Sequence, residues 1–185
     1  MKKIKIIIIF LLLSLSLFSS GEISFRKQRE KVLKEQQEED KGEQKQVKRE
    51  KITTTNKEKS IRQAILETAF SKMGTPYIYG ANGNGAYDCS SYVQFVYKKS
   101  INVNLPRVSY QQAESGKKVK VNQLKAGDLV AFDTLNKGRI SHIGIYIGDN
   151  QFIHASSGYK KVVVSQLEGY YADKFKYGVK ILWLI

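Results

Sequence analysis

Cysteine is almost absent from this sequence, in which Cys89 is the only one. A single cysteine excludes an internal disulfide. No cysteine follows the apolar run near the N-terminus, which excludes a lipoprotein processing site there. The thiol is therefore either a small buried hydrophobic group or a reactive group, and its neighbours must decide between the two.

The sequence also lacks an uninterrupted apolar run of about 20 residues, the length that a membrane-spanning helix needs. The apolar run over residues 6–13 follows three lysines within residues 2–5 and leads to small residues at 19–21. This order predicts a signal peptide over residues 1–21, cleaved near its end, with a retained membrane anchor as the alternative. We therefore expect an exported protein, in the periplasm, the cell wall or the extracellular space.

Acidic residues are few relative to basic ones, with 17 Asp and Glu against 31 Lys and Arg and a formal net charge of +14. This charge is compatible with nucleic acid, but the sequence has no nucleic-acid-binding motif. For an exported protein the expected contact is anionic polymer of the cell envelope or the membrane surface. We expect no nucleic-acid partner and a monomeric chain.

Apolar residues are too sparse over residues 22–59 to close a core, and no heptad repeat persists there to predict a coiled coil. This segment is predicted to be a charged tether, helical or disordered, with Thr53 to Thr55 disfavouring helix. A folded domain is predicted over residues 60–185. Its first helix is expected to begin with Ser60 as N-cap and to end before Gly74.

Helical patterns precede strand patterns in this domain. A second helix is expected after Asp88 and a short third one within residues 109–115. Strand-like patterns follow at residues 128–132, 140–147, 151–155, 161–165 and 179–184. Helices first and strands later predict an α+β fold with N-terminal helices packed on an antiparallel β-sheet.

Cys89 directly follows the expected N-cap Asp88 and so lies in the first turn of the second helix. Free backbone N–H groups and the helix dipole stabilise a thiolate there, which predicts a lowered pKa for Cys89. Hydrolysis through a thiolate also needs a general base and acid, for which histidine is best suited. The sequence contains two histidines, His142 and His154.

Both histidines lie in one predicted hairpin, at the start of its first strand and near the end of its second. With a two-residue loop at Asp149-Asn150, His154 would oppose Ile145 and face away from His142, because side chains alternate along a strand. With a three-residue loop or one bulge, His154 opposes Gly144 and the two imidazoles share a face. Joint action of the histidines therefore predicts the odd loop or a bulge.

In that arrangement His142 is the expected base for Cys89, and His154 orients the imidazole of His142. The alternative is that both histidines are ordinary strand residues with satisfied hydrogen bonds. The capped cysteine in the same chain favours the catalytic interpretation.

Several motifs resemble those of one family of bacterial cell-wall endopeptidases, the NlpC/P60 family. They occur in order and at family-like spacing over about Ile61 to Leu184. The motifs are Pro76-Tyr77-Ile78-Tyr79-Gly80, Asp88-Cys89-Ser90, Leu105-Pro106-Arg107, Gly127-Asp128-Leu129, His142-Ile143-Gly144-Ile145-Tyr146-Ile147-Gly148 and Phe152-Ile153-His154-Ala155.

The resemblance implies a papain-like fold and a thioester intermediate, with Cys89, His142 and His154 as nucleophile, base and orienting residue. It also implies that the Tyr77 hydroxyl lies near the oxyanion, although a packed loop aromatic is an equal alternative. No metal or other cofactor is expected.

Three further residues are candidates for binding the substrate. Asp88 and Ser90 resemble positions that help bind the stem peptide, although a simple helix cap explains Asp88 equally well. Arg107 is expected either to pair with a substrate carboxylate or to face solvent.

The sequence departs from the family pattern at two positions, where Ala81 and Ser91 replace glycines. Each adds a side chain near the expected cleft, so substrate specificity stays open.

The resulting hypothesis is hydrolysis of an amide in the peptidoglycan stem peptide, with the bond between D-glutamate and the diamino acid as the expected target. The alternatives are a cell-wall binding or scaffold protein without turnover and an acyltransferase that uses the same cysteine.

Overall fold

The computed structural model describes residues 22–182, so the predicted signal peptide lies outside the described residues. Four α-helices and eight β-strands make up this part of the chain. The helices are α1 (Glu22–Phe70), α2 (Cys89–Ile101), α3 (Ser109–Gln112) and α4 (Tyr170–Lys174). The strands are β1 (Asn82–Gly83), β2 (Ala86–Tyr87), β3 (Lys117–Val119), β4 (Leu129–Phe132), β5 (His142–Gly148), β6 (Gln151–Ser156), β7 (Lys161–Gln166) and β8 (Phe175–Lys180). Over residues 22–182, no helix has the length and apolar character needed to span a membrane.

Helix α1 is longer than the sequence predicts. It runs through Thr53 and Ser60, so Ser60 is an interior residue rather than an N-cap. Their hydroxyls bond back to the carbonyls of Arg49 (2.9 Å) and Lys57 (2.8 Å), a local arrangement that a helix tolerates. The chain divides into two compact units between Thr53 and Thr54. In the first unit, the described stretch of the predicted tether is helical.

The second unit is built on a six-stranded antiparallel sheet with the strand order β3-β8-β4-β5-β6-β7. Strands β1 and β2 form a separate small ribbon. Helices α1 and α2 contribute Ile65, Ala69, Val93 and Val96 to the same buried cluster as the sheet residues. This arrangement confirms the predicted α+β class with helices on an antiparallel sheet.

The two faces of the sheet have different cores. Ile143 and Ile145 of β5 face the helices and belong to the larger cluster. Phe132 and Phe152 belong to a smaller cluster on the other face, together with Tyr171 of α4. Because side chains alternate along β5, His142 falls on the face of this smaller, aromatic cluster, where it packs against Phe132.

Two elements differ from the strand prediction near the C-terminus. Strand β8 covers residues 175–180 and so begins four residues before the predicted strand 179–184, because its pairing with β4 uses Phe175 to Val179. The last two residues of the predicted strand lie outside the described residues. Helix α4 has no counterpart in the prediction. It lies directly before β8 and places Tyr171 against both histidine rings.

Candidate active site

The N-terminus of helix α2 carries Cys89, and a reciprocal cap fixes this end of the helix. The Asp88 carboxylate accepts a hydrogen bond from the Ser91 N–H (2.8 Å), and the Ser91 hydroxyl accepts one from the Asp88 N–H (3.0 Å). The predicted cap is therefore confirmed. The expectation that Ser91 adds bulk to the cleft is wrong, because its side chain completes the cap and the residue is 2% exposed.

The thiol of Cys89 is half-buried beside three backbone N–H groups, those of Ile143, Ser90 and Cys89 itself. Burial raises the pKa of Cys89 to about 11, the Asp88 carboxylate adds to the rise, and the three N–H groups oppose it. The lowered pKa predicted from the helix N-terminus alone is therefore wrong, because desolvation and a neighbouring negative charge outweigh the helix. Contact with Ile143 also places the sulfur next to the residue that follows His142.

The hairpin of β5 and β6 has the irregularity that joint action of the histidines requires. Its two-residue turn, Asp149-Asn150, has positive φ at both positions, yet Tyr146 pairs with Phe152 and Gly148 with Gln151. One extra residue, Ile147, is therefore bulged out of β5. The Ile145–Ile153 pair then brings Gly144 opposite His154, as predicted for histidines on one face.

The two imidazoles are joined by a direct hydrogen bond. His142 Nε2 lies 2.7 Å from His154 Nδ1, and the residues are 8% and 0% exposed. This bond leaves Nδ1 as the free nitrogen of His142. Burial lowers the pKa of His142 to about 4, and burial together with His142 lowers the pKa of His154 well below its ordinary value. Both rings are therefore neutral at neutral pH.

Gly144 makes the close approach of the histidines possible. A Cβ at this position would lie 2.7 Å from the Phe152 ring and 3.2 Å from the His154 Cβ. A larger residue would therefore force the Phe152 ring, which packs against His154, to shift.

Tyr77 lies in the loop that follows α1 and is tied to the start of β7 by a hydrogen bond from its N–H to the Lys160 carbonyl (2.9 Å). Its side chain is half-buried, and the charges of Cys89 and Asp88 act on its hydroxyl. Burial, together with these two groups, raises the pKa of Tyr77 to about 12. The hydroxyl is therefore a protonated donor on the cysteine side of the site.

Arg107 joins the predicted substrate-binding residues into one network. It binds Asp88 through two parallel contacts of 2.6 and 3.0 Å and the Ser90 hydroxyl at 3.0 Å. It also donates to the carbonyls of Gly80 (3.2 Å) and Ala81 (3.0 Å). An arginine that simply faces solvent is therefore excluded. Burial raises the pKa of Asp88, but hydrogen bonds from Arg107 and Ser91 outweigh it and leave the pKa lowered.

Three residues that the sequence analysis missed support this arrangement. Gln112 is fully buried and donates to the carbonyls of Ser90 (2.9 Å) and Pro106 (2.7 Å). The Ser165 hydroxyl lies 3.0 Å from Nε2 of His154, the nitrogen that His142 does not contact, and Tyr171 packs edge-on against the same ring. None of the three belongs to a recognised motif, although Gln112 follows Arg107 closely, and no local sequence signal identifies them.

A cavity of about 870 Å³ opens beside His142 on the aromatic face of the sheet. Its wall includes His142, three tyrosines and three serines, and none of the described lining residues is Asp, Glu, Lys or Arg. The tyrosines are Tyr159, Tyr170 and Tyr171, and the serines are Ser156, Ser157 and Ser165.

Comparison with known proteins gives consistent results. The NlpC/P60 family model matches residues 74–180. "Murein DD-endopeptidase MepS/Murein LD-carboxypeptidase" of Escherichia coli strain K12 is 34% identical over 66% of this chain, and the chain spans 64% of that protein's length. "Gamma-DL-glutamyl hydrolase" of Bacillus subtilis strain 168 is 38% identical over 60% of this chain and 27% of its own length.

The crystal structure of the NlpC/p60 domain of peptidoglycan hydrolase SagA is 28% identical with a TM-score of 0.58, over 64% of this chain and 97% of that domain. The papain-like fold is thus confirmed.

Proposed function

The chain belongs to the NlpC/P60 family, and from this premise we propose that it is a cysteine peptidase that hydrolyses an amide bond in the stem peptide of peptidoglycan. The hydrogen-bonded histidine pair, His142 and His154, beside a capped Cys89 carries the proposal. A nucleophile, a neutral base and a group that orients the base are the parts that acyl transfer needs.

In the proposed mechanism, Sγ of Cys89 attacks the substrate carbonyl carbon while its proton passes to Nδ1 of His142. The C–N bond then breaks as His142 returns the proton to the leaving amine, which leaves a thioester on Cys89. Water attacks the thioester and gives a proton to His142, and the proton returns to sulfur as the C–S bond breaks. The raised pKa of Cys89 and the lowered pKa of His142 favour proton transfer during attack over a preformed ion pair.

The negative charge that develops on the carbonyl oxygen needs donors placed in advance. We assign this role to the backbone N–H of Cys89 and to the Tyr77 hydroxyl. The raised pKa of Tyr77, to about 12, keeps that hydroxyl protonated. One such donor commonly contributes about 100- to 1,000-fold in rate.

The two sides of the scissile bond would occupy different surroundings. Asp88 and Ser90 lie on the cysteine side, where Arg107 holds them, and we propose that this network contacts the acyl part of the stem peptide. The leaving amine takes its proton from His142, so the amine part lies toward the neutral cavity of about 870 Å³. A cavity of this size accommodates a diamino acid together with a neighbouring group.

The bond between D-glutamate and the diamino acid is the proposed target. The name of the B. subtilis relative refers to a glutamyl bond, whereas that of the E. coli relative refers to DD and LD bonds. Muropeptides that contain all three bonds distinguish these possibilities.

The proposal also places the protein outside the cytoplasm, where peptidoglycan is found. The charge of +14 suits an anionic envelope, and the helical segment before the second unit would serve as a tether. No cofactor is invoked in any step.

The test is to incubate the purified chain, its Cys89→Ala variant and a Ser100→Ala control with defined muropeptides and to identify the products by mass spectrometry. Ser100 lies at the far end of α2 from Cys89. We expect cleavage between D-glutamate and the diamino acid by the parent and the control, and a loss of at least about 1,000-fold in the Cys89 variant.

Other outcomes have equally clear meanings. An added amine that appears in the product would identify an acyltransferase, and binding without cleavage by a folded chain would identify a scaffold protein. Cleavage that survives in the Cys89→Ala variant would overturn the mechanism.

A further inference from the structure

The hydrogen-bonded chain that begins at His142 continues beyond His154. The second ring nitrogen of His154, Nε2, lies 3.0 Å from the Ser165 hydroxyl. Strand β7 pairs with β6 so that His154 is opposite Val163, which puts Ser165 two residues further on the same face of the sheet. Ser165 is thus the outer neighbour of the histidine pair.

The tautomers of the two rings depend on each other through the bond between them. For His142 to accept a proton on Nδ1, its Nε2 must carry hydrogen and donate to Nδ1 of His154. His154 must then carry its own hydrogen on Nε2, which points at Ser165. In the opposite arrangement Ser165 donates to His154, and His142 presents an N–H to Cys89 and cannot act as a base.

The direction in which the Ser165 hydroxyl points therefore decides between the two arrangements. The Tyr171 ring packs edge-on against the His154 ring, with their centroids 5.3 Å apart, and the hydroxyls of Ser156 and Ser165 act to lower the pKa of Tyr171 against a larger rise from burial. A group that lowers a tyrosine pKa donates toward the tyrosine oxygen, so we expect Tyr171 to take the single hydrogen of Ser165 and leave the Ser165 oxygen free to accept from His154.

Water that replaced the Ser165 hydroxyl from the cavity would not fix the tautomer, because a water molecule can either donate to Nε2 of His154 or accept from it. His154 is fully buried, and the Phe152 ring lies 4.6 Å from it on another side. A neutral imidazole that loses its partner in such a place has an unsatisfied N–H, and changing tautomer relieves that cost.

We propose that Ser165, oriented by Tyr171, is a positioning residue that sets the tautomer of His154 and thereby keeps Nδ1 of His142 free to act as the base. The proposal rests on the proposed function, since it names how the base of that reaction is prepared. Neither Ser165 nor Tyr171 touches the reacting atoms.

The first test reads the tautomers directly and needs no substrate. The sequence contains two histidines, so a nitrogen-15 correlation spectrum of the full chain shows only two imidazole rings. In the parent we expect both rings with hydrogen on Nε2. In Ser165→Ala we expect a mixture of tautomers in both rings, whereas Ser165→Thr keeps the hydroxyl and the parent pattern.

The second test measures kcat and KM on the muropeptide that the parent cleaves. We expect kcat to fall about 10- to 100-fold in Ser165→Ala with KM little changed, because an outer partner that orients a histidine acts on the chemical step. Tyr171→Phe removes only a hydroxyl and should give a smaller loss in the same direction. Ser165→Thr should recover most of the lost kcat. Ser100→Ala makes the same serine-to-alanine substitution at the far end of α2 and is the control.

Single parent-like tautomers in Ser165→Ala would overturn the proposal, whatever the activity. Mixed tautomers with an unchanged kcat would overturn the claim that the tautomer of His154 prepares His142 to act as the base. Failure of the parent to cleave any muropeptide would overturn the proposed function instead, while the spectrum would still report whether Ser165 sets the tautomers.

Discussion

Two arginine–aspartate pairs in the second unit join the same kinds of charged group but have different surroundings. Arg62 binds Asp128 at 2.9 Å, with 13% and 0% of the two side chains exposed, and so ties α1 to the start of β4. Arg107 binds Asp88 at 2.6 Å, with 35% and 10% exposed, and so ties the loop before β1 to the nucleophile helix. The first pair is buried in the scaffold, and the second lies at the edge of the proposed site. The same chemistry should therefore serve stability in one place and activity in the other.

The largest expected effect is on stability, from Arg62→Met. The change leaves the fully buried Asp128 carboxylate without its charged partner and removes the bond from Arg62 to the Ala126 carbonyl (2.7 Å). Breaking one half of a buried pair typically costs about 3–5 kcal/mol. Urea unfolding followed by near-ultraviolet circular dichroism, which reports packed tyrosines, measures the loss.

Lys125→Met is the matched control for this change. Lys125 also contacts helix α1, through an ion pair with Glu58 at 3.2 Å, but its side chain is 57% exposed. Removing an exposed pair should cost less than about 1 kcal/mol. Similar losses of unfolding free energy in Arg62→Met and Lys125→Met would show that burial does not determine how much each ion pair contributes to stability.

The sequence alone predicts the residues of the site better than the contacts around them. Helix capping and strand alternation are local, so they correctly placed Cys89 after its cap and predicted the bulge between His142 and His154. The pairing of Arg107 with Asp88 joins residues far apart in sequence, and no periodic pattern encodes it. The same holds for Ser165, which sequence reasoning passed over as an ordinary strand residue.

Two predictions failed because they applied a local rule that other contributions outweigh. The helix-terminus argument predicts a lowered pKa for Cys89, but burial depends on how α2 packs against the sheet and raises it. Threonine propensity argues against helix at Thr53, yet the helix continues, because propensity differences of a few tenths of a kcal/mol per residue are a weak constraint.

A smaller effect, on activity rather than stability, is expected from Arg107→Lys. Lysine keeps the charge but cannot reproduce the two parallel bonds to Asp88 or the bonds to Ser90 and the loop carbonyls. We expect kcat/KM on the cleaved muropeptide to fall about 10- to 100-fold, with the free energy of unfolding changed by less than about 2 kcal/mol.

Arg49→Lys repeats the same chemical change in the first unit and should leave both quantities unchanged. Urea unfolding and muropeptide kinetics on the same preparations separate the two effects. If the Arg107→Lys variant unfolded as easily as Arg62→Met and kept its activity, the Arg107–Asp88 pair would serve stability and not activity.

The smallest expected effect concerns the charge that the site pair brings to the nucleophile. Asp88 is one of the groups that raise the pKa of Cys89, so Asp88→Asn should lower that pKa, and the unbalanced Arg107 charge acts in the same direction. Lowering the pKa of Cys89 by one unit raises the thiolate fraction tenfold at any pH well below the pKa, and we expect a fall of about one unit.

The rate of alkylation by iodoacetamide, followed from pH 6 to 10 by mass spectrometry, measures the thiolate. In the parent the rate should rise with pH over the whole range, since the pKa of Cys89 is about 11. Glu58→Gln, which removes a carboxylate of the Arg62 network, should not change this profile. A parent rate that is already constant between pH 6 and 8 would mean that the thiolate forms in the free site and that the Asp88 charge does not control it.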